Sequence, residues 1–429
     1  MTARGFVIAA ASSGAGKTVV TLGLLRALKR RGLDVRAAKS GPDYIDPAFH
    51  EAACGAPSVN LDAWAMTPQT LLARAAAQGG AFLVVEAAMG VLDAGRDGHG
   101  SAADLAALLG LPLVLVLDIA KTGQSALLPA VGLQALRPDL PVAGVILNRC
   151  GSEAHAEMAL RPMRDVDIPV FGAIPRDRAL SLPERHLGLV QAAETEGIES
   201  FLEGAADRLE AALDLDAMLA AAGPVAPASG SSNRLPPLGQ RIAVARDAAF
   251  AFVYPHLLDD WHAQGAQILS FSPLDNKGPD QFADAVFLPG GYPELHAGRL
   301  ANAGKFLGLT RRAADRGARI YGECGGYMAL GDGMIDADGT RHEMLGLLPL
   351  VTSFAERRRT LGYRRLSPLP GAPWNGALMG HEFHYATIVE EGGAARLFRA
   401  TDATGTPTPN MGLQIGRVAG SFAHIIAPG

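Results

Sequence analysis

The chain has 429 residues, 48% of them apolar and only 19% charged, so it can bury sizeable cores and is expected to form two soluble globular domains. A formal net charge of −5 excludes a general attraction to nucleic acid, and the basic content gathers into no run longer than Arg357-Arg358-Arg359, which reads as a solvated face. Cys54, Cys150 and Cys324 are odd in number, far apart and without a Cys-x-x-Cys pair, which argues against a disulfide framework or a zinc site and fits a reducing cytoplasm.

The apolar run Phe6-Val7-Ile8 enters a glycine loop at once, so no cleavable signal sequence is expected. The longest apolar stretch, 105–117, is broken by Gly110 and Pro112 and is too short to span a bilayer, so no membrane partner is expected. Buried strands are expected at 6–10, 81–85, 112–117, 142–147 and 170–174, with helices between them. One helix over 18–31 carries apolar Val20, Leu24, Leu25 and Leu28 and stops at Gly32. Such alternation implies a parallel sheet covered on both faces, with function at the carboxyl ends of its strands, where Glu86, Asp118 and Asn148 stand. Residues 223–238, rich in glycine, proline and serine, read as a linker. Strand and helix alternate again from 241–245 through 285–288 and 319–321. The expected architecture is therefore two α/β domains with parallel sheets, 1–222 and 239–429.

Ala11-Ser12-Ser13-Gly14-Ala15-Gly16-Lys17-Thr18 lies between a strand and a helix, where backbone N–H groups and the helix dipole can face a phosphate. Ser13, Gly14, Ala15 and Gly16 would wrap the phosphates of ATP, Lys17 would neutralise them, and Thr18 would place its hydroxyl on Mg²⁺. Ala11 departs from the usual pattern, which has a glycine there. The loop from Lys39 through Asp43, Tyr44 and Asp46 combines a lysine with two carboxylates and can hold metal and an anionic substrate together. Glu86 and Asp93 supply matching carboxylates after another strand. Asn148 reads either as a group for the adenine edge or as a plain turn residue.

Gly322-Glu323-Cys324-Gly325-Gly326 follows an apolar run and reads as a thiol nucleophile on a sharp strand-to-helix turn, with Gly325 offering an oxyanion N–H. Gly291, in Pro289-Gly290-Gly291-Tyr292, can supply the second. A thiol nucleophile needs a base, and His424 is the candidate by analogy with amidotransferases. Position 426, where a glutamate commonly orients that histidine, holds Ile426. Cys54 and Cys150 read as inert. Gly380-His381-Glu382-Phe383-His384-Tyr385 reads three ways: a cradle for a large carboxylate-bearing ligand, a metal pair, or an ordinary hydrogen-bonded strand.

Taken together, these motifs resemble the cobyrinic acid a,c-diamide synthases, including the hydrogenobyrinic acid members that act before cobalt is inserted. The first half is similar to dethiobiotin synthetase, a P-loop NTPase-type fold, and the second to the flavodoxin-like class I glutamine amidotransferases. Ala87 departs from the family pattern, which commonly has glycine there. The resemblance implies a cytoplasmic ligase that spends ATP and glutamine to amidate corrin carboxylates through acyl phosphates. Thr18, Asp46 and Glu86 would hold Mg²⁺, and Cys324 with His424 would release ammonia. Lys39, Asp43, Tyr44, Asp93, His381, Glu382, His384 and Tyr385 would contact the substrate. Monomer and homodimer stay open. So do cobyric acid synthase, nickel-sirohydrochlorin a,c-diamide synthase and a nucleotide-switched partition ATPase.

Overall fold

The computed structural model describes residues 3–185, 188–189, 191–228, 230 and 232–429, and divides after Ser232 into two units. In the first, seven parallel strands run in the order Val59–Leu61, Val35–Ser40, Phe82–Glu86, Arg4–Ala9, Leu113–Asp118, Val142–Cys150 and Val170–Pro175. All five strands expected from apolar runs are present, within a few residues of their expected ends. Phe6, Val7, Ile8 and Ala9 are fully buried although their side chains point alternately to opposite faces, because helices cover both. Each large apolar side chain buried this way contributes roughly 1.5–3 kcal/mol. The helix Lys17–Arg30 turns Val20, Leu24, Leu25 and Leu28 inward and ends on Lys29 and Arg30, which favour the negative end of its dipole.

The stretch expected as a linker, 223–238, is partly packed. Gly223–Pro224 pairs antiparallel with Arg4 and Gly5, and Val225, Leu235 and Leu238 are buried. Ser229 and Ser231 lie outside the described residues.

The second unit begins as the sequence suggests. Parallel strands Gln267–Phe271, Arg241–Ala245, Ala285–Leu288, Arg319–Glu323 and Val418–Ser421 lie side by side. The sheet then continues antiparallel through Pro407–Ile415, Ala395–Asp402, Thr360–Pro368, Leu378–His384 and Ala423–Pro428. Val418–Ser421 and Ala423–Pro428 are separated by one residue, yet they occupy the fifth and tenth places in the sheet. Its far end must therefore curl back onto its middle. One hydrogen bond records that return: Ile425 N–H donates to Glu323 Oε1 at 3.1 Å. Among the described residues, no helix is long and apolar enough to cross a membrane.

Candidate active site

The phosphate loop of the first unit closes on itself before the helix begins. Gly16 has φ 90°, and a side chain there would also meet Asn148 Nδ2 at 2.3 Å, so only glycine fits. Ala11 is not among the residues with positive φ, which explains why alanine is tolerated where glycine is usual. Ala87, the other departure, is fully buried, and its N–H donates to Ile8 O at 2.9 Å. Lys17 Nζ donates to Met89 O at 2.6 Å and Ser12 O at 3.0 Å, while burial, followed by the nearby Lys39 charge, lowers its pKa.

Below the loop four polar groups converge. Thr18 Oγ1 donates to Glu86 Oε1 at 2.7 Å and lies 3.5 Å from Asp46 Oδ2. Lys39 Nζ donates to Asp46 Oδ2 at 2.5 Å and Glu86 Oε1 at 2.8 Å. Burial alone would lower Lys39, but Asp46, Glu86 and Asp43 outweigh it and hold the ammonium well above its ordinary pKa. Burial opposes ionisation of Glu86, yet Lys39 and His50 keep it well below the carboxylate range. Asp46 is pushed up to about 8 by burial, then by Asp43 and Glu86, against the opposing pull of Lys39. Thr18, Asp46 and Glu86 bring hard side-chain oxygens together here, a donor set that suits Mg²⁺, which takes one or two protein carboxylates beside phosphate oxygens.

Other expected residues have local duties. Asp43 Oδ1 accepts the N–H groups of Ile45 and Asp46 at 2.8 and 3.0 Å, fixing the start of the helix Asp46–Cys54. Asp93 Oδ2 accepts Gly90 N–H at 2.7 Å and closes the turn that carries Met89. Tyr44 is half-buried in the Lys39 loop. Asn148 Nδ2 donates to Ala15 O at 2.9 Å, so its amide braces the phosphate loop. A cavity of about 1180 Å³ opens alongside, lined by Ser12, Gly16, Asn148, Arg149, Pro175 and Arg176 among others.

In the second unit Cys324 sits at φ 48°, ψ −105°, between Arg319–Glu323 and the helix Gly325–Leu330. This is a strained turn for an L-residue, of the kind that lifts a nucleophile out of a sheet. A Cβ placed on Gly290 would lie 2.4 Å from His424 Cε1, 3.0 Å from its Nε2 and 3.2 Å from Cys324 Cβ, so imidazole and thiol border one small void. A Cβ on Gly325 would lie 3.1 Å from Gly291 N, which brings the two expected oxyanion amides side by side. Gly290→Ala should therefore displace the ring and lower glutamine hydrolysis roughly 10²-fold, the scale of a 1 Å misplacement. Steady-state glutamate release checks this, and an unchanged rate would separate the ring from the chemistry.

Burial, then the Glu294, Glu382 and Glu323 carboxylates, push the Cys324 thiol well above its usual pKa. Burial also drives His424 down to about 3, with His381 and His384 adding to the effect. At rest the pair is neutral thiol and neutral imidazole, ready for proton transfer toward the ring.

The strand Leu378–His384 lies beside this pair: His381 is the register partner of His424. Glu382 is bound by Arg364 Nη2 at 2.6 Å and His384 Nε2 at 3.1 Å, and His384 stacks on Phe422 at 3.9 Å. Tyr385 O accepts Arg358 N–H at 3.1 Å. The polar groups of this strand are thus largely tied to one another. Among the described residues no three or more His, Cys, Asp or Glu side chains gather as a metal cage. Cys54 and Cys150 are buried free thiols, raised by burial.

Two residues were not singled out by sequence reasoning. His50 is fully buried, with Nε2 2.7 Å from Glu86 Oε2 and Nδ1 3.1 Å from Ser58 Oγ. Its spacing of four from Asp46 on one helix was the available signal. Glu323 is buried with Oε2 3.7 Å from His424 Nδ1. A charged residue ending an apolar strand demands a partner, and that was its signal.

A phosphate loop over a carboxylate cluster in one unit, with a cysteine elbow and histidine in the other, defines a glutamine-dependent amide-forming ligase that uses ATP. A protein-family model described as a CobQ/CobB/MinD/ParA nucleotide binding domain matches residues 6–190, and one described as a CobB/CobQ-like glutamine amidotransferase domain matches 241–429. A hydrogenobyrinate a,c-diamide synthase of a Sinorhizobium species is 58% identical over 426 residues, covering 98% of both chains. Proteins of the same name from Rhizobium meliloti (strain 1021) and Brucella anthropi are 55% and 56% identical; the alignments cover 98% and 99% of this chain and 99% and 98% of theirs. The chain belongs to the hydrogenobyrinate a,c-diamide synthase family.

Proposed function

We propose that the protein converts the a and c side-chain carboxylates of hydrogenobyrinate into carboxamides, consuming one ATP and one glutamine for each, in cobalamin biosynthesis. The observation that carries this reading is the presence of both chemistries in one chain, nearly full-length similar to proteins that bear the synthase name. That shared name favours the cobalt-free macrocycle over cobyrinic acid. A partition-type ATPase would account for the first unit and leave the second without a task.

A carboxylate is a poor electrophile, so its oxygen first takes the γ-phosphoryl group of ATP, leaving ADP. Ammonia then attacks the acyl carbon and phosphate departs. Lys17 and the loop amides bind and orient the phosphates, and Asn148 keeps the loop in shape. Mg²⁺ would be held by Thr18, Asp46 and Glu86 and would supply charge neutralisation on the phosphates. Lys39, whose ammonium stays charged, is suited to hold a substrate carboxylate beside that centre; Asp43, Tyr44 and Asp93 shape the same edge.

Ammonia comes from glutamine. Cys324 sulfur attacks the carboxamide carbon, its proton passes to His424, and the same proton leaves with the amine as ammonia. Water then releases glutamate from the thioester. Amides of Gly291 and Gly325 stabilise the oxyanion, and His381, Glu382, His384 and Tyr385 would contact the carboxylate-bearing macrocycle. Three buried free thiols are in keeping with a reducing cytoplasm.

Mass spectrometry after incubating hydrogenobyrinate with ATP, Mg²⁺ and glutamine tests the reading. Each acid-to-amide conversion replaces OH by NH₂ and lowers mass by about one unit. Two such steps are expected; no change on hydrogenobyrinate, with amidation of a different macrocycle in a parallel panel, would overturn the substrate assignment.

A further inference from the structure

The residue at position 426, where an acid would orient the histidine, is fully buried Ile426. Pairing between Leu378–His384 and Ala423–Pro428 shifts at this point: Gly380 faces Ile425 and Met379 faces Ala427, which leaves Ile426 as the extra residue of a bulge. Its carbonyl accepts a hydrogen bond from His256 Nε2 at 2.9 Å. The strand that carries His424 therefore brings no acid of its own to the ring.

A carboxyl group arrives instead from the strand that carries the nucleophile. Glu323 is 2% exposed and immediately precedes Cys324. Its Oε1 accepts the N–H of Ile425 at 3.1 Å, gripping the residue that follows His424, while Oε2 stands 3.7 Å from His424 Nδ1. One side chain thus binds the backbone beside the base and stands next to its ring. We infer that Glu323 is the positioning residue for His424, fixing the ring through Nδ1 and balancing the charge it gains during glutamine hydrolysis; this rests on the glutaminase reading above.

The proton inventory supports the assignment. When the Cys324 S–H bond breaks, the sulfur keeps the electron pair that forms the S–C bond, and the proton goes to Nε2. The ring becomes an imidazolium whose Nδ1–H faces Glu323. Proton return to the departing amine regenerates neutral His424 and frees ammonia. An imidazolium formed in a fully buried site needs an opposite charge close by, and ion pairs of catalytic groups commonly tighten only once substrate is bound.

Other charged groups face the same place but are occupied differently. Glu382, from Leu378–His384, is bound by Arg364 and His384. Glu294, after Ala285–Leu288, acts on the Cys324 thiol, and His381 and His384 both disfavour a charged His424. Burial pushes Glu323 up to about 8, against the opposing pull of the Ile425 N–H and, after it, of Tyr321 on the same strand. A carboxyl raised this way is protonated below that pH and ionised above it. The imidazolium is therefore better stabilised as pH rises through about 8.

The test is glutamine hydrolysis by the full chain from pH 6 to 9.5, alongside ammonia-dependent synthesis. For the wild type, kcat/KM should rise through about pH 8. Glu323→Gln should lower kcat about 10²-fold, leave KM for glutamine within about twofold, abolish the alkaline rise and spare ammonia-dependent synthesis. Glu323→Asp should recover part of both rate and pH profile. Wild-type kcat with the alkaline rise intact in Glu323→Gln would overturn the proposal. So would parallel loss of ammonia-dependent synthesis, which would mark a scaffold residue. Cys324→Ala run beside these separates the two ideas: if it still hydrolyses glutamine at the wild-type rate, the glutaminase reading fails whatever Glu323 does.

Discussion

Cys324→Ala should abolish glutamine-dependent amidation, by at least about 10³-fold, while amidation driven by ammonium salts continues at the wild-type rate. Alanine keeps Cβ and removes only the sulfur, and the left-handed φ of 48° is as unfavourable for cysteine as for alanine. The substitution therefore adds no new backbone strain to the elbow. Cys324 Sγ lies 3.9 Å from Phe383 O, a weak contact whose loss costs little. What disappears is the thioester, and with it the route from glutamine to ammonia. Free ammonia needs no thiol, because it attacks an acyl group activated in the other unit. Paired assays of amide product, with glutamine and with ammonium chloride, check this. Equal loss in both would mean that the two chemistries do not occupy separate sites.

The separation of chemistries was legible in the chain because each is announced by a short contiguous motif. Gly16-Lys17-Thr18 and Glu323-Cys324-Gly325 both sit where a strand ends and a helix begins, and apolar runs such as Phe6-Val7-Ile8 mark the strands themselves. The groups that complete each site were not legible, since they meet only through folding. His50 reaches Glu86 from the helix Asp46–Cys54; its spacing from Asp46 is local, but nothing in the sequence pairs it with Glu86, 36 positions away. The antiparallel half of the second sheet alternates polar and apolar residues weakly: Thr360–Pro368 is mostly exposed or half-buried along its length. Its return to the middle depends on the single-residue break between Ser421 and Ala423, which sequence periodicity does not report. Glu323 belongs to the Cys324 motif, but its bond to Ile425 depends on that return. The bulge at Ile426 likewise has no signature in residue spacing, so the sequence left open whether another group orients His424 or a dyad suffices.

Glu86→Gln should stop synthesis, with a loss of about 10³-fold, while glutamine hydrolysis by the second unit persists. Glu86 is fully buried and receives three donors: Thr18 Oγ1 and Lys39 Nζ at Oε1, and His50 Nε2 at Oε2. Glutamine has nearly the same shape, so its carbonyl oxygen can take the Oε1 place and accept from both Thr18 and Lys39. Its NH₂ then faces His50, which accommodates it by moving its own proton to Nδ1 and donating to Ser58 Oγ, 3.1 Å away. The fold is thus expected to survive. The charge is not replaced, however, and Lys39 keeps only Asp46 and the more distant Asp43, 3.8 Å away. A divalent cation bound there would lose one of its two carboxylates. The pH dependence of stability should change as well. A carboxylate held below its ordinary value of 4.5 contributes stability that is complete above that value and is lost as pH falls toward its folded value. In Glu86→Gln that part of acid unfolding disappears, so its melting temperature should fall less steeply than the wild type's below about pH 4.5. Phosphate release dependent on the corrin, glutamate release without it, and melting curves from pH 3 to 7 measure the three consequences separately. Full synthesis in the variant would remove Glu86 from the phosphoryl-transfer site, and parallel loss of glutamine hydrolysis would mean that the substitution had unfolded the chain.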